Sequence, residues 1–261
     1  MKFSSLASGS SGNCQYIEYK NTKILIDAGL SGKKIEQNLK EIGVDPKSLD
    51  AIFVTHEHID HCKGVGVLSR RHDLKVFANA ETFSSMAPTV KELDPKNTFI
   101  FENERPFQFK DLHINPISTF HDCANGCGFV VIGDKKISIL TDTGWINTEA
   151  MEKMSESEFY YLESNHDVDM LINGTYPWAT KQRILSTKGH LSNENAAEVL
   201  EKLLQKKKEK VLLAHLSSDN NLPDLALSTI KGILSQNFKE EENDYTIDVA
   251  PRHVPSTVYE I

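Results

Sequence analysis

The sequence has few cysteines, no long hydrophobic run and no excess of positive charge. Only four of its 261 residues are cysteine, at irregular spacing, which excludes the disulfide framework of a small secreted protein. No apolar stretch approaches the ~20 residues that a membrane-spanning helix needs, and no signal-peptide core follows the first residues. We therefore expect no membrane partner and a reducing, cytoplasmic setting.

The chain also lacks low-complexity linkers and short-period repeats. A chain of 261 residues can bury a sizeable core without disulfide bonds, and its apolar patterning predicts strands and helices in two similar halves. Strands are expected near residues 2–6, 14–19, 23–26, 51–54, 75–78, 98–101, 107–109, 112–117, 128–132, 137–140, 159–163, 211–214, 246–249 and 257–261. Helices are expected near residues 35–42, 64–68, 81–87, 177–186, 192–204 and 222–238.

What the chain does contain is a dense group of ligand-type side chains in residues 56–61. They directly follow an apolar run that predicts a buried strand. Because side chains two positions apart in an extended segment point the same way, His56 and His58 can reach one metal ion together. A turn after them would direct Asp60 and His61 to a second ion. Imidazole favours zinc or another first-row metal, and the carboxylate extends the choice to manganese.

Three further ligand-type residues follow predicted strands. His121, Asp142 and His215 each come after an apolar run, where a loop leaves the sheet. The carboxyl ends of strands are the usual place for a binding site on an α/β framework. We therefore expect these residues to join the same site.

Three other features admit two interpretations each. Cys123 and Cys127 could form a metal site with the nearby histidine, although the histidine and aspartate ligands already fill two coordination spheres, which favours small buried residues. The loop 8–13 is rich in Ser and Gly, and either cradles a phosphate on its amides or is a flexible turn. His190 lies between Gly189 and a predicted helix N-cap, and is either a core residue or faces a substrate.

These motifs resemble those of the metallo-β-lactamase superfamily over nearly the whole chain. The resemblance implies an α/β fold of four layers, an αββα sandwich, with two divalent metal ions. It implies that the first ion is bound by His56, His58 and His121. It implies that the second is bound by Asp60, His61 and His215, with Asp142 bridging the two. Asp27 matches an early aspartate of the family that supports the ligand imidazoles without binding metal.

Differences in these motifs separate the branches of the superfamily. His58 stands where flavodiiron reductases carry a glutamate, which favours a hydrolase. Only 47 residues separate Asp142 from His190, which leaves no room for the domain that β-CASP nucleases insert. Residues 1–261 are therefore expected to form one domain. True β-lactamases are secreted and lack a Thr-Asp-Thr-Gly motif of this kind.

Five segments together resemble the YycJ/WalJ-type branch of bacterial nucleases. They are residues 8–14, 53–61, 163–167, 188–192 and 213–217. This resemblance implies a 5′-to-3′ exonuclease acting on DNA, single-stranded or with a free 5′ end, and a part in mismatch repair. Asp60 would orient the nucleophile, and His190 would stabilise charge on the phosphoryl oxygen or the leaving group.

The net charge of −8 argues only mildly against a DNA substrate. Two divalent ions would add four positive charges at the site, and the acidic run 239–244 is expected to face solvent. Three basic residues, Lys181, Arg183 and Lys188, are expected near the site. Tyr176 and Trp178 lie beside them in sequence and could stack on bases or pack against the sheet.

Two rival functions remain for the same ligand set. The first is a small-molecule hydrolase, such as a cyclic phosphodiesterase or a lactonase, with a closed pocket around the metals. The second is a metal-binding scaffold without catalysis. The presence of all seven ligands argues against a scaffold, which needs no open coordination position.

Overall fold

The computed structural model of the protein describes residues 1–238 and 244–261. Within them, two seven-stranded sheets carry helices on their outer faces. Except for its last residue, the acidic run expected at 239–244 lies outside the described residues.

The strands and helices have the following bounds. The strands are β1 (Lys2–Ala7), β2 (Cys14–Tyr19), β3 (Thr22–Ile26), β4 (Ala51–Phe53), β5 (Lys75–Ala78), β6 (Thr98–Ile100), β7 (Phe107–Phe109), β8 (Leu112–Ser118), β9 (Cys127–Ile132), β10 (Lys136–Leu140), β11 (Phe159–Glu163), β12 (Glu209–Ala214), β13 (Tyr245–Val249) and β14 (Tyr259–Glu260). The helices are α1 (Gly32–Glu41), α2 (Ile59–Cys62), α3 (Val65–His72), α4 (Ala80–Val90), α5 (Thr148–Met154), α6 (Val168–Asn173), α7 (Trp178–Ile184), α8 (Asn193–Leu203) and α9 (Pro223–Leu234).

Each sheet contains one parallel half and one antiparallel half. The first sheet has the order β14-β1-β2-β3-β4-β5-β6 and is parallel from β3 to β6. The second has the order β13-β12-β11-β10-β9-β8-β7 and is parallel from β10 to β13. The carboxyl ends of parallel strands meet at one edge of a sheet, which is where α/β proteins build their sites.

Side chains alternate between two packed faces along the central strands. In β11, Phe159 and Tyr161 lie in the apolar layer between the two sheets. Tyr160 and Leu162 point the other way and pack with residues of α8 and α9. A third apolar layer joins the first sheet to α1, α3 and α4. A strand that is buried on both faces is apolar at nearly every position, and these three layers confirm the predicted αββα sandwich.

The helices α5 and α6 were not expected from the sequence. They span seven and six residues, which is too short for an apolar period to be visible. Asn147 and Asp167 cap their first turns by accepting hydrogen bonds from backbone N–H groups. The predicted N-cap Ser192 is confirmed, since its side chain accepts from the amide of Asn195. No helix in the described part of the chain is long and apolar enough to cross a membrane.

We expect Phe129→Ala to lower the free energy of unfolding by about 3–5 kcal/mol, as for other deletions of buried rings. Phe129 is fully buried, with its ring 5.9 Å from that of Phe53 and 5.7 Å from that of Phe101. Ile100→Ala is the control, because Ile100 is 65% exposed. Urea unfolding of the metal-free protein measures both, and equal losses would contradict the assignment of the inter-sheet core.

Candidate metal centre

Three histidines from the two sheets converge at one position. His56 follows β4, and His58 is the residue before the short helix α2. Nε2 of His56 lies 3.1 Å from Nδ1 of His58. His121, from the loop after β8, places its ring 5.3 Å from that of His56 and 5.1 Å from that of His58. One nitrogen from each ring lies within 4.8 Å of the others, so the three can hold a single ion.

A second group of ligand atoms lies beside the first. Asp60 and His61 belong to α2, and His215 follows β12. Oδ2 of Asp60 lies 3.5 Å from Nε2 of His61 and 3.9 Å from Nε2 of His215. Asp142, after β10, reaches both groups: Oδ2 is 3.3 Å from Nε2 of His61, and Oδ1 is 3.8 Å from Nε2 of His121. The structure therefore brings all seven predicted ligands together.

Three residues of the site have an unusual backbone conformation. Asp27, Asp142 and His215 have φ of 60°, 57° and 54°, in the left-handed region. Each comes one or two residues after a strand of a parallel half. Such a conformation costs of order 1 kcal/mol or more for a residue with a Cβ. The surrounding sheets and hydrogen bonds hold these turns, which sets where the three side chains project.

Asp27 forms hydrogen bonds with Thr55 and His61, two residues that follow β4. Its Oδ1 accepts from the amide of Thr55 at 2.8 Å, and its Oδ2 accepts from the Thr55 hydroxyl at 2.8 Å. The same Oδ2 lies 2.7 Å from Nδ1 of His61. This contact leaves Nε2 of His61 turned toward Asp60 and Asp142. A carboxylate on the far nitrogen of an imidazole fixes the tautomer that a metal ligand needs.

Glu163 is a site residue that we did not identify from the sequence. It ends β11 and is fully buried. Its Oε1 lies 2.8 Å from Nδ1 of His190 and 2.9 Å from Nδ1 of His215. Its Oε2 accepts from the backbone amides of Thr143 and Leu191. A charged residue that closes an apolar strand could have signalled this role, because a buried carboxylate needs several donors.

The loop 8–13 is tied to the site. Nδ2 of Asn13 lies 3.0 Å from Nε2 of His61 and donates to Oδ2 of Asp60 at 3.2 Å. Its Oδ1 accepts from the amide of Gly9, which closes the loop. The chain runs so close here that a Cβ on Gly29 would lie 1.6 Å from the carbonyl oxygen of Asp60. Position 29 therefore has room only for glycine.

Burial and charge act against each other on the imidazoles. Burial, with the neighbouring imidazoles, holds the pKa of His56 well below its usual value. Burial also disfavours the charged form of His61, but Asp142 and Asp27 outweigh it and raise the pKa of that ring well above its usual value. For His215, burial is likewise outweighed, with Asp142 the largest opposing charge, and its pKa is raised to about 10. The carboxylates thus favour the protonated forms of His61 and His215, and a divalent ion that binds there would replace those protons.

The sequence profile of the metallo-beta-lactamase superfamily matches residues 7–215. The chain belongs to the metallo-β-lactamase superfamily. It is 42% identical over 238 residues to exodeoxyribonuclease WalJ of Streptococcus pneumoniae serotype 2, covering 90% of this chain and 88% of that protein. It is 38% identical over 237 residues to exodeoxyribonuclease YycJ of Bacillus anthracis, covering 90% of each. The predicted resemblance to this branch is confirmed.

Solved structures share the fold at low identity. The metallo-beta-lactamase fold protein YhfI from Bacillus subtilis has a TM-score of 0.75 at 15% identity, over 98% of both chains. The short form of human tRNase Z has a TM-score of 0.67 at 16% identity, over the full length of both. These likenesses support the αββα fold alone.

Membership of the superfamily implies divalent metal ions, and the residues present fit them. Nε2 of His215 and Oδ2 of Asp142 are buried and form no hydrogen bond with any described residue. Burying two polar atoms without hydrogen bonds destabilises the folded protein unless a further partner binds them. Imidazole and carboxylate are donors that first-row divalent ions accept. The candidate groups of the described residues contain histidine, aspartate and glutamate, and no cysteine.

The basic residues expected near the site differ in their positions. Lys181 is 8% exposed and donates to the carbonyls of Ile172 and Gly174. The ammonium group of Lys181 is therefore engaged in fastening α6 to α7. Arg183 pairs with Asp122 at 2.6 Å. Lys188 is exposed.

We expect Asp27→Asn to weaken divalent metal binding by about 10–100-fold, as for other residues that orient a ligand imidazole. The amide would keep the size of the side chain but present an N–H₂ group to at least one of its three donors, which are the amide and hydroxyl of Thr55 and Nδ1 of His61. Chelator competition on the purified protein measures the affinity. Asp134→Asn, at an exposed position, is the control. Unchanged affinity in Asp27→Asn would show that Asp27 does not position a ligand.

Proposed function

We propose that this protein is a divalent-metal-dependent DNA exonuclease that degrades a strand from its 5′ end. The observation that carries the proposal is the cluster of seven histidine and aspartate ligands at the strand ends. It occurs in a chain 42% and 38% identical, over nine tenths of its length, to two proteins named exodeoxyribonuclease. A part in mismatch repair remains a prediction from the same resemblance.

We assign two ions to the centre, zinc or manganese. His56, His58 and His121 would hold the first. Asp60, His61 and His215 would hold the second, with Asp142 between them. When bound, divalent ions would supply Lewis acidity that acidifies water and offsets charge on a phosphodiester.

The other side chains of the site would position groups and move a proton. Asp60 would orient the attacking water, and Asp27 would hold His61 in the required tautomer. Glu163 accepts from Nδ1 of His190, which leaves Nε2 of that ring for the substrate. Protonated at Nε2, His190 would donate a hydrogen bond to the phosphoryl oxygen or a proton to the leaving oxygen.

DNA with a free 5′ end or a single-stranded 5′ tail is the substrate we infer. The rival small-molecule phosphodiesterase or lactonase is not favoured, because the two relatives that are 42% and 38% identical over 90% of the chain are named exodeoxyribonucleases. We assign residues 1–261 to one domain without a β-CASP insertion. All four cysteines are free thiols, in keeping with the cytoplasmic setting that we propose.

Asp142→Ala is expected to lower metal occupancy at both positions and, with it, the rate of cleavage of 5′-labelled DNA. Asp142 approaches imidazoles of both groups, at 3.3 Å and 3.8 Å, so its loss removes a donor from each. Elemental analysis gives metal content, and end-labelled DNA gives the polarity of cutting. Asp134→Ala, at an exposed position, should behave as the unmodified protein. Degradation only from the 3′ end would overturn the assigned polarity.

His190→Ala is expected to retain both metals and to lose about 10²–10³ in kcat, the usual effect of removing one electrostatic donor. Its ring contacts Glu163 and lies 3.9 Å from Asp142, so it borders the ligands without being needed to hold them. Loss of metal together with loss of rate would show instead that His190 is itself a ligand. The matched variant His113→Ala, on an exposed position of β8, should change neither.

A further inference from the structure

A cavity of about 330 Å³ adjoins the candidate metal centre. Its lining includes Ser8 and Leu216. Ser8 Oγ accepts a hydrogen bond from the backbone amide of His215 at 2.8 Å, and Leu216 is the next residue in the chain. The cavity therefore shares a wall with a candidate ligand. Its volume is at the lower end of the ~300–1,000 Å³ of small-molecule sites.

One wall of the cavity is apolar. It is formed by Leu216, Leu222, Pro223, Val249, Ala250 and Pro251. Leu222 is 56% exposed, so part of this surface lies open at the rim. The flat face of a nucleobase is largely apolar, so any of the bases can bury one face against aliphatic side chains of this kind. The wall thus suits a base better than it suits a sugar or a phosphate.

The lining of the cavity also includes a guanidinium group with unused donors. Arg252 lines the cavity, and one of its nitrogens donates to the carbonyl of Leu216. Within the described ranges, no carboxylate lies within 4.0 Å of it. Asp219 instead accepts from the hydroxyls of Tyr176 and Ser218. A guanidinium has five N–H donors, so Arg252 keeps several for an anion.

The loop 8–13 packs directly against Arg252. A Cβ on Gly9 would lie 2.7 Å from Nη1 of Arg252, and the φ of Gly9 is 115°. The positive φ requires glycine at this position, and the short distance shows how close the guanidinium lies to the loop. The hydroxyl of Ser8, 3% exposed, already accepts from Tyr161 and from the amide of His215. Its own proton is left for an acceptor, and the two donors, Ser8 and Arg252, border one cavity.

We propose that this cavity, the terminal-nucleotide pocket, receives the 5′-terminal nucleotide of the DNA strand. The base would lie on the apolar wall, and the terminal phosphate would accept from Arg252 and Ser8. The inference rests on the proposed function, because it places the scissile phosphate at the metal ligands next to His215. It follows that the enzyme distinguishes a 5′-phosphate end from a 5′-hydroxyl end, and that Arg252 is a specificity residue.

The first test compares DNA ends on the metal-loaded enzyme. We expect kcat/KM to be about 10–100-fold higher for a 5′-phosphate than for a 5′-hydroxyl end, the effect of one charge-assisted contact. Arg252→Ala should abolish this ratio while hydrolysis of bis(p-nitrophenyl) phosphate stays within about twofold, since that substrate needs only the metals. Arg105 is exposed and lies far from Arg252 in the sequence, so the control variant Arg105→Ala should keep the ratio. A ratio near one in the unmodified enzyme, or an unchanged ratio in Arg252→Ala, overturns the proposal.

The second test does not depend on DNA cleavage. Deoxyadenosine 5′-monophosphate is titrated into the zinc-loaded protein, and amide shifts are followed by NMR. We expect shifts at Leu216, Ala250 and Arg252, and a Kd raised about tenfold in Arg252→Ala. Shifts confined to residues outside the pocket overturn the inference. Nucleotide binding in the pocket without any DNA cleavage supports the pocket and contradicts the proposed nuclease function.

Discussion

Three carboxylates, Asp27, Asp142 and Glu163, are almost fully buried beside imidazoles, and the architecture of the site follows from satisfying them. An isolated buried carboxylate is strongly unfavourable unless donors surround it. The three carboxylates are satisfied by different sets of donors. Asp27 takes two donors from Thr55 and one from His61, whereas Glu163 takes two backbone amides and two imidazoles. Asp142 keeps one oxygen without a hydrogen bond to any described residue, and it is the residue that reaches both ligand groups.

The two parallel half-sheets make this network possible. Asp27 and His56 follow adjacent strands of the first sheet, and Asp142, Glu163 and His215 follow or end adjacent strands of the second. Because parallel strands end at a common edge, residues far apart in the chain arrive at neighbouring positions. The packed layer between the sheets then fixes the distance between the two edges, so that imidazoles from both sheets approach within one coordination sphere.

Three residues of the site also carry local backbone strain. The left-handed turns at Asp27, Asp142 and His215 are unfavourable in isolation, and the tertiary hydrogen bonds hold them. Ser8 and Tyr161 illustrate the coupling, since the tyrosine hydroxyl donates to Ser8, which accepts from the amide of His215. Ser8 also borders the cavity lined by Arg252. A single hydroxyl thus joins a ligand-bearing turn, the core between the sheets and the proposed terminal-nucleotide pocket.

Much of this protein could be predicted from its sequence, for a physical reason. Ligand chemistry and strand periodicity are local properties, so the group at residues 56–61, the ligands after later strands and most elements could be recognised without coordinates. The resemblance of the motifs added the layer order. The short helices α5 and α6 were missed because caps at Asn147 and Asp167 define them, and a cap carries no periodicity.

Other properties depended on the tertiary structure, because they are relations between distant residues. From the sequence, Lys181 is one of three basic residues expected near the site, but the fold buries it on the carbonyls of Ile172 and Gly174. From the sequence, Glu163 is only the last residue of a predicted strand. The fold places it between His190 and His215, which lie 27 and 52 positions away in the chain. The sequence by itself determined which atoms can bind metal and which segments form strands. Only the packing of two sheets decided which atoms meet, since convergence and burial are set by contacts that no local pattern encodes.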